Sequence, residues 1–113
     1  MNLQQFIQQL NTPENIDFED TMAVITASYE YSPTRFNNGE LINEASTNEG
    51  SCKIFAFAQL NNLSEQQTLN CFGRFYHKDV LENPQGSDHG NIRNFMQQGW
   101  SGISFDQAPL KAK

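Results

Sequence analysis

The stretch Thr47–Leu60 places a cysteine where a reactive thiol could form. Cys52 follows a polar, glycine-containing segment and opens a largely apolar run, so we expect it in the first turn of a helix. A helix N-terminus and the adjacent Lys53 both favour the thiolate, which is the nucleophilic form of cysteine. Thiol chemistry also needs a base, and His77 and His89 are the two histidines of the chain. A cysteine–histidine enzyme is therefore one hypothesis.

The opposite interpretation makes Cys52 a buried structural residue, and we favour it. Glu49 lies close by, and both a neighbouring carboxylate and the apolar residues that follow would raise the pKa of the thiol. Free cysteine is also among the residues most often buried. The N-terminus shows no secretory signal, so we expect Cys52 and Cys71 to be reduced thiols in a cytoplasm. A disulfide between them remains an alternative if their helices pack together.

His89 is the better placed of the two histidines. It lies in a polar loop directly before a predicted helix, where a side chain can reach a cleft, and Asp88 or Asn91 could orient its imidazole. The alternative is that this loop only caps the helix. His77 falls on a helix whose core face is taken by other residues, so we expect it to be solvated. No residues in the sequence have the spacing of metal ligands or of a cofactor-binding motif, so we expect neither a metal nor a cofactor.

Two predicted helix N-termini carry the pattern of a small-anion site. One lies near Ser51 and the other near Asn91, each follows a loop with glycine and asparagine, and each has a cation in its first turn. Backbone N–H groups at such ends bind phosphate or carboxylate if the fold brings them together. The alternative is two capped helices with solvated cations. The predicted site comprises Asn48, Glu49, Ser51, Lys53, Asp88, His89, Asn91 and Arg93.

The composition and charge of the chain limit the classes of partner that it can bind. The chain has 113 residues, enough for one domain over residues 1–113, and a net charge of −6. Its seven Lys and Arg are dispersed, and a surface that binds the phosphates of nucleic acid would need Lys and Arg in excess. We therefore expect neither nucleic acid nor a membrane as a partner. A small anionic ligand or another protein is compatible with this surface.

Apolar spacing predicts a mostly helical α+β domain with about five helices and a small antiparallel sheet. An Asn38-Gly39 hairpin turn leads into a strand at Leu41–Ile42, and a third strand at Ile103–Phe105 could join them. We expect the N-terminal helix to pack on the domain and residues 107–113 to be frayed. The predicted helices are 2–11, Asp17–Ser28, Ser51–Asn61, Ser64–Val80 and Asn91–Gln98.

Several unusual strings occur in one order along the chain. They are Phe18–Met22 (FEDTM), Tyr31–Phe36 (YSPTRF), Asn38–Gly39, Thr47–Lys53 (TNEGSCK) and Asp88–Trp100 (DHGNIRNFMQQGW). Together they resemble the HopJ family, and the resemblance runs from about Phe18 to Leu110. The family consists of small bacterial proteins named as type III secretion effectors. The resemblance implies a bacterial protein that can be secreted through a type III system and meets a host or bacterial protein. It brings no assigned activity and no catalytic residues.

Three functions are thus open at this point. The family resemblance implies an effector-like interaction protein. The two helix N-termini favour a cytoplasmic protein that binds a small anion. The pair Cys52 and His89 would make a thiol enzyme.

Overall fold

The computed structural model describes residues 1–113 and contains five α-helices, one π-helical segment and five short strands. The mostly helical α+β architecture predicted from the sequence is confirmed. The helices are α1 (Leu3–Gln9), α2 (Phe18–Ser28), α3 (Glu49–Leu60), α4 (Glu65–Asn70) and α5 (Gly90–Gln98), and the π-helical segment is Phe75–Val80. The strands are β1 (Tyr29–Tyr31), β2 (Phe36–Asn38), β3 (Leu41–Asn43), β4 (Ile103–Phe105) and β5 (Leu110–Ala112).

Local sequence explains where three of the helices begin. In each, the side chain of the residue before the helix accepts a hydrogen bond from the backbone N–H of the third helical residue. The side chain of that third residue in turn accepts a hydrogen bond from the backbone N–H of the residue before the helix. This reciprocal arrangement satisfies N–H groups that a helix start otherwise leaves unpaired. The pairs are Asn2 with Gln5 before α1, Asp17 with Asp20 before α2, and Ser64 with Gln67 before α4.

Helix α3 runs through the middle of the core, as its apolar sequence predicts. Phe55 is fully buried, and its ring packs against those of Phe36, Phe72, Phe95 and Trp100 at centroid distances of 5.0 to 6.3 Å. These rings come from the hairpin, the segment after α4, and α5 with the turn that follows it. One aromatic cluster therefore fixes the positions of most elements around α3.

The prediction of one long fourth helix over Ser64–Val80 is wrong, because the helix is interrupted at Gly73. Gly73 has a φ of +59°, in the left-handed region. Asp17 Oδ1 accepts the N–H groups of Arg74 at 3.0 Å and Phe18 at 2.8 Å, which pins the reversal against the start of α2. A Cβ at Gly73 would collide with Asp17 and with the backbone of Phe18. The chain then continues as the π-helical segment.

The strands form two small antiparallel sheets, one with the order β3-β2-β4 and one that pairs β1 with β5. The β1–β5 and β2–β4 pairs share one register. Tyr29 faces Ala112, and Phe36, seven residues after Tyr29, faces Phe105, seven residues before Ala112. The sheets are therefore two ends of one ribbon. Its middle contains Pro33 and Pro109, which have no N–H to donate.

The ribbon corrects the expectation that residues 107–113 are frayed. Leu110–Ala112 form β5, Leu110 is buried, and the Lys113 N–H donates to the carbonyl of Ser28. The expected hairpin turn also shifts by one residue. The loop consists of Gly39, with a φ of +62°, and Glu40, whereas Asn38 lies in β2 with its side chain fully buried.

We expect Gly73→Ala to lower the free energy of unfolding by more than 1 kcal/mol. A left-handed conformation alone costs a non-glycine residue roughly 1–2 kcal/mol, and the collision with Asp17 adds to it. Urea unfolding monitored by circular dichroism measures the change. Gly90→Ala is the matched control, because a Cβ there only touches Leu41 at 3.4 Å. Equal stability of the two variants would contradict the role given to Gly73.

Candidate functional site

The N-termini of α3 and α5 meet at one open cavity of about 330 Å³, which we call the α3/α5 cavity. The first turns of the two helices contribute Gly50, Ser51, Gly90, Asn91 and Ile92. The preceding loops contribute Asn48 and His89, and the apolar wall consists of Phe18, Phe72 and Phe75. The fold therefore brings together the two loops whose approach the anion-site hypothesis required.

Both helices lack a side-chain cap. The residues that precede them, Asn48 and His89, have φ values of 50° and 52° and make no capping bond. The first backbone N–H groups with an acceptor inside the chain are those of Cys52, which donates to the carbonyl of Asn48, and Arg93, which donates to the carbonyl of His89. The N–H groups of the preceding helical residues are left for water or a ligand. Two helix dipoles thus present their positive ends to one cavity.

His89 is held at the edge of the cavity by the π-helical segment. Its Nε2 lies 3.0 Å from Asp79 Oδ2, and its ring packs on Phe75 at a centroid distance of 5.3 Å. Asp88, one of the orienting residues considered from the sequence, lies further away at 3.8 Å. Sequence reasoning missed Asp79 and Phe75, because only the π-helical geometry turns both towards this loop. The bond at Nε2 leaves Nδ1 free to contact a ligand.

Buried asparagine side chains join the cavity to the β-hairpin. Asn91 Oδ1 accepts from Nδ2 of Asn38 and of Asn43, each at 3.1 Å. Asn43 Oδ1 in turn accepts from Asn91 Nδ2 at 2.9 Å and from Asn48 Nδ2 at 2.7 Å. Asn91 was predicted as a binding residue, but its amide carbonyl and amino groups bond within the chain. It positions the two helix N-termini, and Asn38 and Asn43 were not anticipated in this role.

The predicted cations do not line the cavity. The guanidinium of Arg93 donates to the carbonyl of Asp88 at 2.6 Å, to its carboxylate at 2.7 Å and to the carbonyl of Asn83 at 3.0 Å. Lys53 lies over the ring of Tyr31, with Nζ 4.6 Å from its centroid. The site that the structure brings together therefore consists of backbone N–H groups, Asn48, Ser51 and His89. Glu49 is exposed in the first turn of α3.

Cys52 lies on the other side of α3 from this cavity. Its side chain is buried, with Sγ 3.7 Å from the carbonyl of Thr34, and burial raises the pKa of its thiol. Ser51, and not Cys52, shares the cavity with His89. Cys71 is also a free, buried thiol whose pKa is raised by burial. This geometry favours the structural interpretation of Cys52.

His77 is not the solvated residue expected from the helical pattern. Its Nε2 is buried without a hydrogen-bond partner, and burial lowers the pKa of the imidazole. It lines a second cavity of about 450 Å³ together with Asp17 and Arg74. The break at Gly73 explains the difference, because the residues after it follow a new helical register.

No group of three or more His, Cys, Asp or Glu side chains is arranged to hold a metal ion. No helix combines the length and the apolar character needed to cross a bilayer.

Comparisons with known proteins place the chain among relatives. The family model described as "HopJ type III effector protein" matches residues 3–110, and no curated protein matches. The crystal structure of a protein of unknown function, VPA0580, is similar, with a TM-score of 0.96 at 55% sequence identity. The match covers 100% of this chain and 95% of that one.

We expect Cys52 to react slowly with thiol reagents in the native protein, because its thiol is buried and its pKa is raised. The measurement is the labelling rate at pH 7 with 5,5′-dithiobis(2-nitrobenzoate), with and without denaturant, in a Cys71→Ala variant. A cysteine introduced at the exposed Thr26 gives the rate of an accessible thiol. Native labelling of Cys52 at that rate would contradict the structural role.

Proposed function

This chain belongs to the HopJ family, and we propose that it is a binding protein for a small organic acid. The α3/α5 cavity holds the acid, with its carboxylate at the two helix N-termini. The observation that carries this proposal is that two helices without side-chain caps direct their first turns into the same cavity.

The chemistry of the cavity selects a singly charged ligand with an apolar body. Its lining has no Lys or Arg, so a doubly charged phosphate would meet only backbone dipoles in a protein of net charge −6. A carboxylate needs fewer donors and can accept N–H groups from both helices. The wall opposite consists of Phe18, Phe72 and Phe75, against which an apolar or aromatic body packs.

His89 completes the recognition of the acid in this proposal. Asp79 fixes its ring by accepting from Nε2–H, and the imidazolium form then has Nδ1–H left to donate to a carboxylate oxygen of the ligand at the edge of the cavity. The Asn91 network supports the same geometry, because it holds both helix starts to the hairpin and limits how far they can separate. A site built in this way is preorganised, which lowers the cost of binding.

We expect phenylacetate and benzoate to raise the melting temperature in a concentration-dependent way. A ligand at 100 times its Kd stabilises the folded state by about 2.7 kcal/mol. The uncharged analogue 2-phenylethanol and inorganic phosphate should give smaller shifts, because each lacks one of the two matched features. Differential scanning fluorimetry with all four compounds measures this.

The matched variants for this experiment are Ser51→Leu, which fills the cavity, and Thr26→Leu, which places the same side chain on the exposed surface of α2. Only Ser51→Leu should lose the shift. An equal shift in both variants, or no shift with any of the four compounds, would refute binding in this cavity.

A second candidate function comes from the description of the matching family model as a type III effector protein. In this role the protein leaves the bacterial cytoplasm through a type III apparatus and meets a host protein. We expect a reporter fusion to be exported by a bacterium with an intact apparatus and retained by an otherwise identical strain without its export ATPase. Equal export by both strains, or none by either, would contradict the effector role.

A further inference from the structure

The chain segment 103–112 has an open outer edge. In the ribbon, the Asp106 N–H donates to Arg35 at 3.1 Å and the Gly39 N–H donates to Gly102 at 2.9 Å. Bonded pairs alternate along an antiparallel ladder, so the Phe105 N–H and C=O point away from β2. β4 is the outermost strand of its sheet, and β5 pairs only with β1. Unpaired strand edges of this kind are templates for another strand.

An apolar groove of about 520 Å³ lies beside this edge. Its lining includes Ile103 and Phe105, which alternate along β4, Leu110 at the start of β5, and Ala56 and Leu60 from the C-terminal half of α3. Leu60 is 54% exposed, and the groove has no charged side chain. It is built to take apolar side chains at alternate positions of an extended chain.

Two cations lie at one end of the groove. They are Lys111 and Lys113, which follow the groove residue Leu110 in the chain. Both are exposed, and neither forms an ion pair. All three arginines, in contrast, pair with carboxylates. Glu30 faces Lys111 across the β1–β5 pair without forming an ion pair with it, so both lysines are left to meet the carboxylates of an acidic partner.

We infer that the groove binds an extended peptide segment of another protein, which adds as a strand to the outer edge of β4. The peptide backbone pairs with the Phe105 N–H and C=O, its alternate apolar side chains enter the groove, and its acidic flank lies beside Lys111 and Lys113. This is strand addition, in which main-chain bonds give affinity and the side-chain pockets give specificity. The surface lies at the opposite end of α3 from the α3/α5 cavity, and the inference does not depend on ligand binding there.

The probe is a fluorescein-labelled nonapeptide with valine at alternate positions, threonine between the valines and two glutamates at each end. We expect saturable binding by fluorescence anisotropy and slower amide exchange at the Phe105 N–H. Two control peptides replace the glutamates by lysines or carry N-methyl groups on the backbone of the central residues. Both should bind at least tenfold more weakly. Equal binding of the N-methylated peptide, or no binding of the acidic peptide at 1 mM, overturns strand addition.

Two pairs of variants locate the site. Leu60→Glu should weaken binding at least tenfold, whereas Ile42→Glu, at an equally exposed position on the other open edge, β3, should leave the Kd unchanged. Replacing Lys111 and Lys113 together by glutamate should reverse the preference between the acidic and basic peptides. A loss in Ile42→Glu without a loss in Leu60→Glu overturns the location. A dimer in sedimentation that Leu60→Glu dissociates would make a second copy the occupant, which also overturns the proposal.

Discussion

The buried amide of Asn91 links three parts of the chain: α5, the β-hairpin and the start of α3. It bonds to Asn38 and Asn43 of the hairpin, and through Asn43 it reaches Asn48 at the start of α3. Amide groups taken out of water are costly unless they are paired, so this arrangement tolerates little movement. The direction of both helix starts, and hence the shape of the α3/α5 cavity, depends on it.

A second constraint acts from the opposite side of the cavity. Asp17 caps α2 and also accepts the N–H of Arg74, which fixes the chain reversal at Gly73. The π-helical segment that follows directs Phe75 into the cavity wall and Asp79 to His89. π-Helical segments are often found at functional sites. In this protein the segment connects the cap of one helix to the orientation of a histidine at the cavity.

The two cations predicted to bind a ligand are instead used to stabilise the protein's own structure. Arg93 closes the loop before α5 through the carboxylate of Asp88 and two carbonyl groups, and Lys53 rests on Tyr31. What remains for partners is different at the two ends of α3: unpaired N–H groups beside aromatic rings at its start, and an apolar groove with a strand edge at its end. One helix therefore borders two surfaces of different chemistry, for which we propose a small acid and an extended peptide as partners.

The sequence by itself determined the helical α+β class and the capped helix starts, whereas the meeting of the two polar loops depended on the fold. Each capping box is closed by residues three positions apart, so the signal is local, and apolar spacing identifies α3 as the core helix. The break at Gly73, the partner of His89 and the pairing of β5 were decided only by the tertiary structure. Asp17 meets Arg74 across 57 residues, and Asp79 meets His89 only because a π-helical turn changes the register between them. Likewise, nothing local distinguishes a cation that awaits an anion from one that closes its own loop, because that depends on which carboxylates and carbonyls the folded chain brings within reach.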